Sequence, residues 1–124
     1  MSAITLTPEN FSETVSADGI AIVDFWAGWC GPCLAFAPVF ESAANSNADI
    51  RFGKVDTEAQ QALAGAFEIT SIPTLMVFRD NILLYNRAGA LPAAALDDLI
   101  AQVRGLDMTA VRAEIEAEQS TKTQ

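Results

Sequence analysis

Cys30 and Cys33 are the two cysteines of the chain and stand two residues apart within FWAGWCGPCLAF, residues Phe25 to Phe36, with Gly31 and Pro32 between them and Trp29 just ahead. Two sulfurs at this spacing can supply half of a metal site, close a small structural ring, or carry electrons by making and breaking a disulfide. A zinc site needs three or four protein ligands, and with two cysteines and no histidine only Asp or Glu could complete one. A permanent disulfide closing so short a loop contributes little through loop entropy, and a reducing compartment would oppose it. Redox exchange is the reading the residues favour, and no metal is expected.

The elements around the pair decide what the sulfurs can do. IAIVDFWA, from Ile20 to Ala27, is almost continuously apolar and reads as a strand covered on both faces, with Asp24 as its one polar exception. From Cys30 to about Ser46 the apolar spacing becomes helical, and Pro38 predicts a kink. The cysteines therefore fall at a strand-to-helix junction, where the first backbone N–H groups have no partner and the helix dipole is positive. Cys30 is expected at the cap, exposed and with a lowered thiol pKa, while Cys33 lies one turn on, within disulfide reach and more shielded. In that arrangement the first sulfur attacks and the second resolves. Pro32 supplies a helix-compatible φ, and Gly31 leaves room for a partner's backbone.

Elsewhere the chain alternates strands and helices. A short strand near Ile4 to Leu6 precedes a helix capped by Thr7 with Pro8 as its first residue. Ile50 to Val55 reads as a third strand, and TEAQ, residues Thr57 to Gln60, has the spacing of a capping box opening another helix. TLMVFRDNILLYNR reads as a hairpin turning at Asp80-Asn81, and Pro92 to Arg104 as a last amphipathic helix. The order β-α-β-α-β-α-β-β-α predicts an α/β fold with a central mixed sheet flanked by helices.

With 124 residues, half of them apolar, the chain is sized for one packed core. Sixteen Asp and Glu against seven Lys and Arg give a formal charge of -9, which would repel a polyphosphate, so nucleic acid is not an expected partner. The opening MSAITLTPENF lacks a basic, then apolar, leader, and no run of about 18 apolar residues suits a bilayer. The expectation is a cytoplasmic protein, away from membranes, and a monomer by default.

VDFWAGWCGPC resembles the active-site strand and loop of the thioredoxin family, and WCGPC is a far more specific motif than an isolated CxxC. Asp24, Trp26, Trp29, Cys30, Gly31, Pro32, Cys33, Pro38, Lys54, the SIPT of Ser71 to Thr74, and Gly89-Ala90 all fall where the family's pattern places them. The likeness covers roughly residues 3 to 105, so residues 1–105 are read as a thioredoxin domain and 106–124 as an extension. Met108, Val111 and Ile115 in that extension have rough helical spacing, which predicts a short helix fraying into STKTQ.

The resemblance implies the thioredoxin fold and a protein-disulfide reductase. Asp24, whose burial alone should raise its pKa, would accept the proton of Cys33. Lys54 would lie near Asp24 and hold that pKa down. Sequence alone favours a trans Ile72-Pro73 bond, whereas the family places a cis-proline opposite the cysteines, presenting the Ile72 backbone to substrate. Trp29, Gly31, Pro32, Ile72, Pro73, Gly89 and Ala90 would then form a shallow apolar apron around Cys30. No cofactor would be bound: the working group is the redox-active Cys30-Cys33 disulfide, recharged with electrons from NADPH through thioredoxin reductase, and the substrates are disulfide-containing proteins. Leu34 stands where many family members carry Lys or Arg, and Thr70 and Ser71 where Arg and Gly are frequent. Fewer positive charges near Cys30 would stabilise its thiolate less and weaken steering of acidic partners. The rival reading is a binding or chaperone-like module on the same fold, with secondary redox activity.

Overall fold

The structure of the chain, a computed structural model, describes residues 3–122. Its elements run β1 (Ile4–Thr5), α1 (Pro8–Ser16), β2 (Ile20–Trp26), α2 (Gly31–Ser46), β3 (Arg51–Asp56), α3 (Gln61–Ala66), β4 (Thr74–Arg79), β5 (Ile82–Ala88), α4 (Ala93–Arg104) and α5 (Met108–Lys122). Among the described residues the strands form one sheet in the order β1-β3-β2-β4-β5. β1 and β2 lie parallel to β3, whereas β4 is antiparallel to both β2 and β5. This is the mixed sheet that the element order predicts.

The apolar run of β2 is continuous because both of its faces are covered. Ile20 and Ile22 pack with Phe36, Phe40, Ala43 and Ala44 of α2 and with Leu96, Ile100 and Val103 of α4. The alternate residues Ala21, Val23 and Phe25 join Leu6, Phe11 and Val15 on the opposite face, where Leu63 and Phe67 close over them. Asp24, two residues on from Ile22, thus belongs to the face covered by α2 and α4. Pro38 sits inside α2, and its ring nitrogen removes the amide that would bond the Leu34 carbonyl.

Two helix ends are tied to the sheet by arginines. Arg51 donates through Nε to Thr14 O at 2.6 Å, and through Nη1 and Nη2 to Asp18 O at 3.0 Å and Ala17 O at 2.9 Å, which satisfies the carbonyls at the end of α1. Arg79 does the same for α4, donating from Nη1 to Val103 O at 2.7 Å and Leu106 O at 3.1 Å. The hairpin turns at Asp80 and Asn81, both at positive φ (53° and 66°), as a two-residue turn requires. Asn81 adopts that conformation without needing to be glycine.

Two sequence expectations fail here. The capping box at Thr57 to Gln60 does not form: the Thr57 hydroxyl donates to Trp26 O at 3.0 Å, and Asp56 Oδ1 accepts from the Glu58 amide at 2.9 Å. The Thr57 oxygen is drawn to the neighbouring strand, and α3 starts only at Gln61. The extension is longer than a short frayed helix, because α5 continues through Ser120 and Thr121 to Lys122; the rest of the expected frayed end, Thr123 and Gln124, lies outside the described residues. Its anchoring follows the predicted spacing, with Met108 buried and Val111 and Ile115 half-buried. Arg112 pairs with Asp80 at 3.2 Å, which holds the helix against the hairpin turn. Among the described residues no helix is long and apolar enough to cross a membrane.

Gly53 shows how closely β1 and β3 are fitted. A Cβ built on it would overlap the side chain of Leu6, with Cγ at 2.7 Å, and Leu6 is fully buried. Gly53→Ala is therefore expected to destabilise the fold by about 1–3 kcal/mol, lowering the melting temperature by roughly 5–10 °C; an unchanged thermal melt would show that Leu6 can move aside freely.

Candidate active site

β2 ends at Trp26 and the chain turns through residues 27–30 into α2, so the sheet delivers Cys30 to the N-cap of the helix. Cys30 has extended backbone angles (φ -91°, ψ 109°), and its Sγ accepts a hydrogen bond from the Cys33 amide at 3.2 Å. This is the bond a Ser or Asp makes at an N-cap, here made by sulfur. Pro32 occupies the first turn, where a missing N–H costs nothing. Cys30 and Cys33 are joined as a disulfide with Cα atoms 5.2 Å apart. A 16-residue helix directs its positive end at Cys30, so a negative charge developing on that sulfur is favoured.

Cys30 is not the exposed residue that its position at a helix start suggests. It retains 4% of its accessible surface and Cys33 2%. The cause is a tertiary contact: the loop before β4 crosses the pair, Ile72 packs on it, and the Ile72 carbonyl oxygen lies 3.7 Å from Cys30 Sγ. Ala27, fully buried, packs in the same cluster. The exposed surface belongs to the neighbours. Trp29 is 70% exposed, Gly31, Pro32, Gly89 and Ala90 are exposed, and Ile72 is half-buried. The Ile72-Pro73 bond is cis, as the family resemblance implies and sequence statistics alone do not. Pro73 is itself buried, and its carbonyl accepts from the Gly89 amide at 2.8 Å, which brings the two loops together.

Asp24 is 1% exposed, and neither carboxylate oxygen has a hydrogen-bond partner among the described residues. Burial pushes its pKa up to about 7, against the opposing pull of the Lys54 charge. Lys54 is the β3 residue in register with Asp24, and its Nζ stands 4.7 Å from the centre of the Trp26 ring. Trp26 in turn packs on the cysteine cluster. The ring thus links the Asp24–Lys54 pair to the sulfurs, a role the sequence reading did not give it. The signal was present: Trp26 follows Asp24 by two residues on a strand and so shares its face. Among the described residues no group of three or more His, Cys, Asp or Glu is placed to hold a metal ion.

A carboxyl whose pKa rises on folding binds more protons in the native state than in the unfolded chain. The stability it subtracts grows as pH climbs from about 4 to about 7 and is absent below that window. The penalty above pH 7 is of the order of a few kcal/mol. Asp24→Asn is expected to raise the melting temperature at pH 8 by roughly 10 °C, with the gain shrinking to near zero at pH 4; a gain independent of pH would contradict the raised pKa.

The thioredoxin family model matches residues 2–102 of the chain. A putative thioredoxin 2 of Streptomyces coelicolor is 53% identical over 119 residues, covering 96% of this chain and 89% of the relative, so the likeness reaches beyond residue 102 into α5. The thioredoxin of Bacillus subtilis is 37% identical over 101 residues, covering 81% of this chain and 96% of the relative. Among solved structures, a mutant thioredoxin from Halobacterium salinarum superposes with a TM-score of 0.78 at 31% identity, covering 86% of this chain and 94% of the other. With a disulfide formed at a helix cap, a buried acid in the strand that leads to it and these relatives over nearly its whole length, the chain belongs to the thioredoxin family of thiol-disulfide oxidoreductases.

Proposed function

We propose that Cys30 is the attacking sulfur, Cys33 the resolving one, and Asp24 the group that takes the Cys33 proton. The observation that carries the assignment is the Cys33 amide donating to Cys30 Sγ at the head of α2, since it favours negative charge on that sulfur and not on the other. In the reduced protein the Cys30 thiolate attacks one sulfur of a substrate disulfide. The substrate S–S bond breaks, its electron pair leaves on the second substrate sulfur, which picks up a proton, and a mixed disulfide joins Cys30 to the substrate. Cys33 then loses its proton to Asp24 and attacks Cys30 Sγ. The mixed disulfide breaks, the first substrate sulfur leaves as a thiolate and takes a proton from water, and Cys30 and Cys33 end as a disulfide, two electrons poorer.

Asp24 suits this task because a carboxyl titrating near 7 can hold the proton briefly and release it. Lys54, in register with it, keeps that pKa from rising further. Trp29, Gly31, Pro32, Ile72, Pro73, Gly89 and Ala90 form the docking apron for an extended segment of a disulfide-containing protein. Pro73 contributes from beneath, by fixing the Ile72 backbone against the sulfur. Electrons return from NADPH through a thioredoxin reductase, so the chain works without a resident cofactor. We place it in the cytoplasm as a monomer, with residues 1–105 as the catalytic domain and α5 as an addition braced against the β4-β5 turn.

Turbidity from insulin-disulfide reduction in dithiothreitol tests the assignment. Cys30→Ser is expected to fall to the uncatalysed background. Cys33→Ser should still attack and should accumulate mixed disulfides, visible as mass adducts. Asp24→Asn should slow resolution by about 10–100-fold at neutral pH while leaving the first attack nearly unchanged. Equal turnover by Cys30→Ser and the parent protein would overturn the assignment in favour of a binding module.

A further inference from the structure

The three segments that meet around the cysteine pair, residues 27–36, 70–73 and 89–91, contain no Asp, Glu, Lys or Arg. Of the described cations, Arg87 stands exposed on β5 two residues before Gly89, and the others are engaged elsewhere. Arg51 and Arg79 are committed to helix-end carbonyls, Arg104 to Asp49, Arg112 to Asp80, and Lys54 lies over the Trp26 ring. The charges nearest the end of β2 are acidic. Asp56 is in register with Trp26, and Glu58, exposed, is bonded through its amide to the Asp56 carboxylate.

Two large apolar side chains stand out from the uncharged segment 27–36, Trp29 at 70% exposure and Leu34 at 52%. Leu34 lies one helical turn beyond Cys30, its amide donating to the Cys30 carbonyl at 3.1 Å, so the two residues share a side of α2. Gly28 and Gly31 border open space, since a Cβ built on either meets nothing within 4 Å. A substrate backbone approaching the sulfur over these glycines would pass beside Trp29 and Leu34.

We propose that Leu34, acting with Trp29, determines substrate choice: the site takes disulfide-bearing segments with a large apolar residue beside the cysteine and discriminates against those with an acidic one. This rests on the thiol-disulfide exchange reading above. An apolar neighbour gains by covering Leu34. An acidic neighbour finds no cation within residues 27–36 around Leu34, Arg87 standing apart on β5, and it meets Asp56, Glu58 and a chain of net charge -9.

The test uses two peptides, each with one internal disulfide, identical except that both cysteines are preceded by Leu in one and by Glu in the other. Their kcat/KM values with the reduced protein are compared after normalising each peptide to its rate with dithiothreitol. The ratio cancels any change in thiolate reactivity, because a single protein meets both substrates. The parent protein is expected to prefer the Leu peptide by about tenfold, Leu34→Gln by only about twofold, and Leu34→Lys not at all or in reverse. Equal rates with both peptides for the parent protein, or the same ratio in parent and Leu34→Gln, would overturn the proposal while leaving the exchange reading intact. Failure of the parent protein to reduce either peptide would overturn both.

Discussion

At the head of α2 the Cys33 amide reaches back to Cys30 Sγ across 3.2 Å, and much of the molecule serves to keep that geometry. β2 carries the chain through the middle of the sheet and releases it four residues before the cap. The body of α2 cannot rotate, because Phe36, Phe40, Ala43 and Ala44 are locked between the sheet and α4. Only with both elements fixed does the Cys33 amide of the first turn reach the sulfur. A helix that frayed there would leave an ordinary cysteine, equally able to form a disulfide but with no preference for which sulfur carries the charge.

The second constraint opposes stability. A carboxyl with no hydrogen-bond partner among the described residues stands in the central strand, on the face that α2 and α4 cover, where an isoleucine would continue the pattern of Ile20 and Ile22. Lys54 moderates the cost without removing it, since the Asp24 pKa stays near 7. The proton exchange proposed for Asp24 near neutral pH is incompatible with a tight ion pair, because a strong pair would return it to an ordinary carboxylate. The fold offsets the penalty through the two apolar clusters on either side of β2 and the arginines that close the ends of α1 and α4.

What the sequence disclosed was local. β2, α2, the N-cap placement of Cys30 and the turn at Asp80-Asn81 depend on neighbours a few residues apart, and Asp24 announced itself as one acid in an apolar run. What it hid was tertiary. The burial of Cys30 comes from Ile72, 42 residues away. The capping box at Thr57 lost its hydroxyl to the Trp26 carbonyl, 31 residues back. The cis Ile72-Pro73 bond was accessible only through family resemblance, since no local rule selects it. Arg51 and Arg79 looked like ordinary strand residues, because the carbonyls they satisfy lie 24 to 37 residues away.

Cys30 is sheltered, so the attack proposed for it depends on the charge of its sulfur and not on its accessibility. The rate of carboxamidomethylation of the reduced protein, followed from pH 5 to pH 10 with the modified residue identified by mass, measures that directly. One thiol, Cys30, should titrate about one unit or more below the ordinary cysteine value of about 8.5 and react first. If both thiols titrate at or above that value, or if Cys33 is modified first, the helix cap does not activate Cys30 and the account is wrong.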